Sequence, residues 1–154
     1  MNLEAGEKAP SFNLPIDGGG NISLNDLKGE TVILYFYPKD DTSGCTAEAC
    51  AFRDALPDFS KAKAKVVGVS KDPVKKHDKF KEKYDLAFPL ASDEDGKVCD
   101  AYGTWVEKSM YGRKYMGIER STFLIDGNGV IRAIWRKVKV PGHVDAVLKA
   151  VQKL

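Results

Sequence analysis

The chain has a continuous run of β-branched, aliphatic and aromatic residues at 31–37, with the sequence TVILYFY. A run of this kind is typical of a strand buried on both faces, in a sheet that helices cover. Residues 65–69 form a second predicted strand, and residues 121–125 and 130–135 form two more on either side of the sequence DGNG. Because glycine and asparagine adopt the positive φ angles of tight turns, we expect the last two strands to form an antiparallel hairpin.

Three stretches show the spacing of amphipathic helices. The first follows Pro38, which ends the central strand, and Thr42 and Ser43 are suited to cap it. The second covers residues 72–84 and opens with an Asp-Pro pair, which favours a helix start. The third lies near the end of the chain, behind a Pro-Gly pair. The predicted inward-facing residues are Cys45, Ala49, Phe52, Leu56 and Phe59 in the first helix and Val144, Val147, Leu148, Val151 and Leu154 in the third.

Shorter patterns complete the predicted fold. Residues 11–14 and 21–24 flank three glycines and are expected to form an N-terminal β-hairpin. Residues 88–90 form a candidate edge strand, and residues 97–102 a short helix. Two βα units followed by a hairpin and a helix describe a thioredoxin-like α/β sandwich, here with an added N-terminal hairpin and an insertion at residues 85–120. With 154 residues, 43% of them hydrophobic, the whole chain is expected to form one domain.

The charge balance narrows the classes of partner. The chain carries 24 Lys and Arg residues against 22 Asp and Glu residues, a net charge of +2. This balance gives no strong field to attract nucleic acid or anionic lipid, so we expect neither as a partner. Residues 1–13 include three charged side chains and no apolar run. We therefore expect no signal peptide, no transmembrane helix and a cytoplasmic location.

The three cysteines are an odd number, and in a reducing compartment cysteines are more often catalytic, metal-binding or buried than paired in structural disulfides. Cys45 falls in the first turn of a predicted helix, where free N–H groups and the dipole favour an anion. A helix terminus supplies at most about 2 kcal/mol, whereas lowering the pKa of a thiol from about 8.5 to about 6 requires roughly 3.4 kcal/mol. A second donor is therefore needed. The candidates are the Thr42 hydroxyl, three residues earlier, and an arginine.

A specific motif surrounds this cysteine. Residues 38–45, with the sequence PKDDTSGC, resemble the Pro-x-x-x-Thr-x-x-Cys active-site loop of peroxiredoxins. TAEAC at 46–50, ERSTFLID at 119–126, SDE at 92–94 and YGTWVEKSMYG at 102–112 extend the likeness along nearly the whole chain. Together these segments resemble the bacterioferritin comigratory protein, or peroxiredoxin Q, subfamily. The resemblance implies a thioredoxin-like fold and a thiol-dependent peroxidase activity.

The resemblance also implies a role for each residue that matches the motif. Cys45 corresponds to the peroxidatic cysteine, and Thr42 to the hydroxyl that contacts both the peroxide and the sulfur. Arg120 corresponds to the cation that stabilises the thiolate and the transition state. Pro38 is expected to shield the sulfur from water, and Glu48 to orient the arginine.

Cys50 matches the resolving cysteine of those members that keep it five residues further on. In the implied cycle, hydrogen peroxide or an organic hydroperoxide oxidises Cys45 to a sulfenic acid, and Cys50 then forms a disulfide with it. Thioredoxin or a related dithiol carrier reopens that disulfide. We expect no metal, no bound cofactor and a monomeric protein. Many members have proline where this chain has Ser43, which bears on the stiffness of the loop and not on its chemistry.

Helix geometry limits how Cys45 and Cys50 can pair. Residues five apart in an α-helix have Cα atoms about 8.7 Å apart, and a disulfide requires about 6.8 Å or less. We therefore expect a fully folded reduced state and a disulfide state in which the first turns of this helix have unwound.

Several alternatives stay open at this stage. Cys45 could be a small buried hydrophobe, and Cys50 could be structural if another thiol resolves; Cys99 is the competitor, although a packed thiol fits its surroundings. A disulfide oxidoreductase is disfavoured because the spacing is C-x₄-C rather than C-x-x-C. A non-catalytic redox sensor differs from an enzyme in lacking multiple turnover. His77 and His143 fall in polar helical stretches, and we expect both to be solvated rather than metal ligands.

Overall fold

The computed structural model describes residues 3–154, so residues 1 and 2 of the predicted N-terminal segment lie outside it. The strands are β1 (Asn13–Pro15), β2 (Asn21–Ser23), β3 (Thr31–Phe36), β4 (Ala64–Ser70), β5 (Leu90–Ser92), β6 (Trp105–Met110), β7 (Arg113–Ile118), β8 (Ser121–Ile125) and β9 (Ile131–Trp135). The helices are α1 (Ser43–Lys61), α2 (Val74–Tyr84), α3 (Lys97–Ala101) and α4 (His143–Gln152), with a short 3-10 helix at Asn25–Leu27. No helix within residues 3–154 is long and apolar enough to cross a membrane.

A five-stranded mixed sheet, in the order β5-β4-β3-β8-β9, forms the centre of the fold. β3 pairs in parallel with β4 and antiparallel with β8, so it is the middle strand. Residues 32–36 are all buried, because the strand has a neighbour on each edge and packed side chains on each face. The prediction of a central strand buried on both faces is confirmed, with its end at Phe36 rather than one residue later.

Alternation along β3 divides the core into two layers. On one face, Tyr35 stacks on Phe52 of α1 with ring centroids 4.6 Å apart, and α4 packs against the same layer. On the other face, Phe36 lies against Tyr102 and Phe123, at 5.3 and 5.7 Å. Helices thus cover one side of the sheet, and the N-terminal hairpin and the segment around α3 cover the other. This arrangement is the α/β sandwich that the sequence predicts.

The shorter predicted elements are present with shifted ends. β1 and β2 form the N-terminal hairpin, and β8 and β9 form the antiparallel pair around the turn at residues 126–129. The predicted edge strand at residues 88–90 is β5, which begins at Leu90 and pairs in parallel with β4. The predicted short helix at residues 97–102 is α3, which ends at Ala101.

The segment expected to be an insertion contains a β-hairpin that the sequence analysis missed. β6 and β7 pair antiparallel along their full length and form a separate two-stranded sheet. Tyr111 and Gly112 join them, both at positive φ, 52° and 78°. Glycine adopts this conformation freely and tyrosine rarely does, so the turn lacks the Asn-Gly signature of such hairpins. β7 ends two residues before Arg120, which places the hairpin beside the candidate site.

The prediction that His77 and His143 are solvated is wrong. The side chain of His77 is 0% exposed and that of His143 is 6% exposed. His77 lies one turn before the buried Phe80 on the inner face of α2. His143 Nε2 lies 2.8 Å from the Thr122 hydroxyl oxygen, and burial lowers the pKa of His143 to about 4. Each ring finds hydrogen-bond partners from distant segments, which polar neighbours along the sequence do not reveal.

Candidate active site

Cys45 lies in the first turn of α1, the helix that follows the central strand β3. The helix begins at Ser43, and Thr42 is its N-cap residue, with extended backbone angles of φ −89° and ψ 157°. The Cys45 side chain faces the core and is 1% exposed. Free N–H groups at a helix start favour negative charge on a nearby atom. The fold therefore places this thiol beside the free N–H groups of a helix start.

Arg120 brings a guanidinium to the sulfur from the far side of the sequence. Its Nη2 donates to Cys45 Sγ at 3.3 Å, and its Nη1 donates to Glu48 Oε1 at 2.7 Å. Cys45 and Glu48 are three residues apart on α1, so they share one helix face. The pairing of β3 with β8 brings Arg120, which directly precedes β8, next to that face. One guanidinium thus bridges the thiol and the carboxylate.

Burial controls the electrostatics of Glu48. Its side chain is 0% exposed, and burial raises its pKa to about 7 although Arg120 opposes the rise. Desolvation lowers the pKa of Arg120, but the charges of Glu48 and Cys45 outweigh it, so the net shift is upward. Glu48 Oε2 and the hydroxyl of Tyr35 are both buried without a hydrogen-bond partner. Glu48 is therefore held by Arg120 through one oxygen only.

The remaining loop residues adopt conformations that the motif alone does not specify. The Thr42 hydroxyl donates to the Lys39 carbonyl oxygen at 2.9 Å, so its single proton is not directed at the sulfur. Pro38 lies two residues beyond the end of β3 and is exposed at the surface of the loop. Both residues lie in the same short connection as the start of α1. The structure therefore brings Pro38, Thr42, Cys45, Glu48 and Arg120 to one end of the sheet.

The three cysteines are free thiols in different environments. Cys50 is half-buried and lies five residues beyond Cys45 on an intact α1. Cys99 is fully buried on α3. Burial raises the pKa of the Cys99 thiol far above its usual range, and the carboxylate of Asp93 raises it further. Cys99 is therefore a poor nucleophile at neutral pH.

Lys108 is a candidate residue that the sequence analysis did not single out. It lies on β6, and its stem passes over Gly117, where a Cβ atom would stand 3.3 Å from Lys108 Cδ. Burial, followed by the positive charge of Arg120, lowers the pKa of Lys108, while the charge of Cys45 acts in the opposite direction. Lys108 is thus a second cation whose pKa responds to the charges of Arg120 and Cys45. Its placement depends on the hairpin that the sequence analysis missed.

Comparison with known proteins identifies the family of this chain. The model of the AhpC/TSA family matches residues 5–134. The chain belongs to the AhpC/TSA family. Within it, a putative peroxiredoxin bcp of Coxiella burnetii is 60% identical over 148 residues, which cover 96% of this chain and 98% of that protein. The peroxiredoxin Bcp of Bacillus subtilis is 48% identical over 154 residues, which cover 100% of this chain and 98% of that protein.

Solved structures of family members have the same fold. The PrxQ of Xylella fastidiosa superposes with a TM-score of 0.94 at 40% identity, covering 99% of this chain and 98% of that one. The bacterioferritin comigratory protein of Xanthomonas campestris gives a TM-score of 0.89 at 48% identity, covering 92% and 90%. The predicted thioredoxin-like fold and the resemblance to the peroxiredoxin Q subfamily are confirmed. This AhpC/TSA family member is therefore a peroxide-reducing enzyme.

Proposed function

We propose that Cys45 is the peroxidatic cysteine and attacks hydroperoxides as a thiolate. The observation that carries this proposal is the 3.3 Å contact between Arg120 Nη2 and Cys45 Sγ. A guanidinium about 4 Å from an anion contributes about 4 kcal/mol at an effective dielectric of about 20, before desolvation is subtracted. With the helix start added, this attraction is comparable to the roughly 3.4 kcal/mol that ionisation of a thiol near pH 7 requires.

In the first step, Cys45 Sγ attacks the distal oxygen of the hydroperoxide, so that an S–O bond forms and the O–O bond breaks. The sulfur is oxidised to a sulfenic acid, and the leaving oxygen takes up a proton and departs as water or an alcohol. Arg120 faces the sulfur and stabilises the negative charge that moves toward the leaving oxygen. Glu48 holds the guanidinium in that orientation through Nη1. The Thr42 hydroxyl, by turning away from Lys39, donates to the bound peroxide.

In the second step, the Cys50 thiol condenses with the Cys45 sulfenic acid to give a disulfide and water. The two residues lie on one continuous helix, where residues five apart have Cα atoms about 8.7 Å apart, beyond the reach of a disulfide. The first turns of α1 therefore unwind before the bond forms. A dithiol carrier such as thioredoxin then supplies two electrons and two protons by exchange and restores both thiols.

The proposed substrates are hydrogen peroxide and organic hydroperoxides. The relative from Xanthomonas campestris is described by its alkyl peroxide reduction activity, and it is 48% identical to this chain over the aligned residues. Exposed apolar side chains on the face of the β6–β7 hairpin that carries Lys108, namely Met110 and Tyr115, offer contacts to an alkyl group. These features support a substrate larger than hydrogen peroxide.

One chain supplies every residue of the proposed cycle. Cys45, Cys50 and Glu48 lie on α1, and Arg120 reaches them within the same chain. A monomer is therefore sufficient, and light scattering of the purified protein tests whether it is the state in solution. A dithiol carrier requires a reducing compartment, which supports the cytoplasmic location that the sequence predicts.

Steady-state oxidation of NADPH in the presence of thioredoxin reductase, thioredoxin and peroxide tests the proposed function. We expect sustained turnover with both hydrogen peroxide and an alkyl hydroperoxide, lost on omission of thioredoxin. Reduction of insulin disulfides without peroxide consumption would instead identify a disulfide oxidoreductase. A single turnover that no carrier renews would identify a redox sensor. Turnover with glutathione and glutaredoxin but not with thioredoxin would overturn the choice of carrier.

A further inference from the structure

His77 forms a buried hydrogen-bonded pair with Asp40 that the proposed reaction does not use. The His77 and Asp40 side chains are 0% and 3% exposed. His77 Nδ1 lies 2.6 Å from Asp40 Oδ2, and His77 Nε2 lies 3.0 Å from the Ala91 carbonyl oxygen. The Tyr37 hydroxyl donates to the other oxygen, Asp40 Oδ1, at 2.5 Å. Both nitrogens of the ring and both oxygens of the carboxylate therefore have partners.

The partners determine where the protons lie. The Ala91 carbonyl oxygen only accepts, so His77 Nε2 carries a proton. A second proton lies between His77 Nδ1 and Asp40 Oδ2, because two acceptors do not approach to 2.6 Å without one. The two side chains thus share this proton, and the pair has no net charge. Removal of either partner leaves the other buried and uncompensated, whereas removal of both does not.

Asp40 lies in the loop at residues 38–42 that connects β3 to α1. Its backbone N–H donates to Asp72 Oδ2 at 2.7 Å, so both its main chain and its side chain are fixed. The next residue, Asp41, has φ 60°, a conformation that a residue with a Cβ atom adopts at a cost. The Asp41 side chain is held by Lys83 Nζ and by the Tyr84 hydroxyl, each at 2.9 Å.

Three of these contacts come from one helix, while Tyr37 and Asp72 hold Asp40 from other segments. His77, Lys83 and Tyr84 belong to α2, so one helix holds the loop at two successive residues. A strained residue persists only where its surroundings fix it from several directions. Water and salt weaken the ion pair at the exposed Asp41, whereas the contact at Asp40 is buried and is weakened much less. The pair with His77 is therefore the stronger of the two attachments.

We propose that His77 is a positioning residue that acts through Asp40: the buried pair fixes the loop at residues 38–42 and so holds Cys45 in its reactive geometry at the start of α1. This inference rests on the proposed role of Cys45. Small displacements of a reacting group cost up to about 100-fold in rate. Loss of the pair therefore slows the reaction of Cys45 with peroxide even where the protein remains folded.

Four variants test the inference: His77→Leu, Asp40→Ala, the double variant with both changes, and His77→Asn, which keeps a donor near the position of Nδ1. For each, three quantities are measured: the rate constant of peroxide with the reduced protein, the pH midpoint of Cys45 alkylation and the urea midpoint of unfolding. Lys79→Ala, at an exposed position on the same helix, is the matched control.

We expect both single variants to unfold at lower urea than the wild type, and the double variant to recover part of that loss, because the Tyr37 hydroxyl and the Ala91 carbonyl still lose their partners. The double variant should still react with peroxide about tenfold or more slowly, with its alkylation midpoint moved to higher pH. His77→Asn should react with peroxide faster than His77→Leu, because it keeps a donor for Asp40. A double variant with the wild-type rate and alkylation midpoint would show that the pair serves stability alone. If the wild type consumes no peroxide, the proposed function fails, whereas a shifted alkylation midpoint in His77→Leu still supports the positioning role.

Discussion

Arg120 contacts the sulfur of Cys45 through one nitrogen and the carboxylate of Glu48 through the other, at 3.3 and 2.7 Å. The planar fork of a guanidinium suits this bridge, because its N–H groups have fixed directions. A lysine carries the same charge but lacks that geometry. The bridge thus links the reactivity of the thiol to the orientation of a single side chain.

Replacing Arg120 should slow the oxidation of Cys45. We expect Arg120→Ala to lower the rate constant with peroxide by about 100- to 1,000-fold, as removal of a transition-state donor does. The pH midpoint of Cys45 alkylation should rise by about one unit or more, since one unit corresponds to about 1.4 kcal/mol. Thr42→Val should slow the reaction as well. Stopped-flow oxidation and alkylation at graded pH measure these effects.

Arg132→Ala is the matched control for this prediction, because Arg132 forms its ion pair with Asp126 at the surface. This control should react like the wild type. Unchanged alkylation midpoints in both Arg120→Ala and Thr42→Val would contradict the proposed electrostatics of the site.

The buried carboxylate of Glu48 predicts a dependence of stability on pH. Burial raises the pKa of Glu48 from 4.5 to about 7, so the folded state binds a proton more tightly than the unfolded state. Stability is therefore lost as the pH rises from about 4.5 to about 7, by up to about 3 kcal/mol. Glu48→Gln should lack this loss. Urea unfolding at graded pH should show the wild type falling relative to Glu48→Gln over that range.

His143 has the opposite dependence, because its pKa is lowered to about 4 and its contribution is lost as the pH falls. It is present in both proteins, so the difference between them isolates Glu48. A constant difference in the free energy of unfolding from pH 4.5 to pH 7 would contradict the assignment.

At the scale of single elements, α1 carries both cysteines of the proposed cycle. In that cycle, its first turns are helical in the reduced protein and unwound in the disulfide form. We expect Cys50→Ser to react with one equivalent of peroxide as fast as the wild type but to lose sustained turnover with thioredoxin. Its Cys45 should also overoxidise more readily, because no thiol captures the sulfenic acid. Coupled assays and intact mass measure both effects.

Cys99→Ser is the matched control, because Cys99 is buried on α3 and poorly nucleophilic. It should recycle normally. Amide exchange of the oxidised wild type should show lost protection across residues 43–56. A Cys45–Cys99 disulfide, or an unchanged helix in the oxidised protein, would contradict the proposed role of Cys50.

Neighbouring side chains pack so closely around Gly68 of β4 that they leave no room for a Cβ atom. A Cβ atom at Gly68 would stand 2.9 Å from the ring of Tyr35 and 3.0 Å from Leu90 Cδ2, both buried. Gly68→Ala should therefore destabilise the protein by about 1–3 kcal/mol. Gly117→Ala on the exposed hairpin meets the flexible stem of Lys108 at 3.3 Å and should cost less. Equal urea midpoints for the two variants would contradict this account of the packing.

The sequence predicts those elements whose signal is local. β3 is recognisable because seven successive residues are β-branched, aliphatic or aromatic, and α1 because its apolar positions repeat at helical spacing. The sequence patterns do not predict β6 and β7, because Tyr111 occupies a turn position that normally holds asparagine or glycine. Lys108 could not be placed for the same reason, since its position depends on that hairpin.

At the scale of the whole molecule, the site joins residues far apart in sequence. Arg120 lies 75 residues from Cys45 and 72 from Glu48 in the sequence. The sequence motifs identify these residues as candidates but do not show which of their atoms are in contact. The bridging guanidinium, the bond from Thr42 to Lys39 and the buried ring of His77 all depend on how distant segments pack. The hydrophobic periodicity and turn motifs of the sequence do not specify contacts between distant segments, so these contacts are seen only in the folded structure.

The central claim is that peroxide oxidises Cys45 first, and one labelling experiment tests it most directly. The Cys50→Ser variant, which cannot close the proposed disulfide, is treated with one equivalent of hydrogen peroxide in the presence of dimedone, a sulfenic acid trap. Peptide mapping then locates the label. We predict one label per chain, on Cys45, and none when Cys45 is also replaced by serine. A label on Cys99, or peroxide consumption that persists without Cys45, would contradict the account.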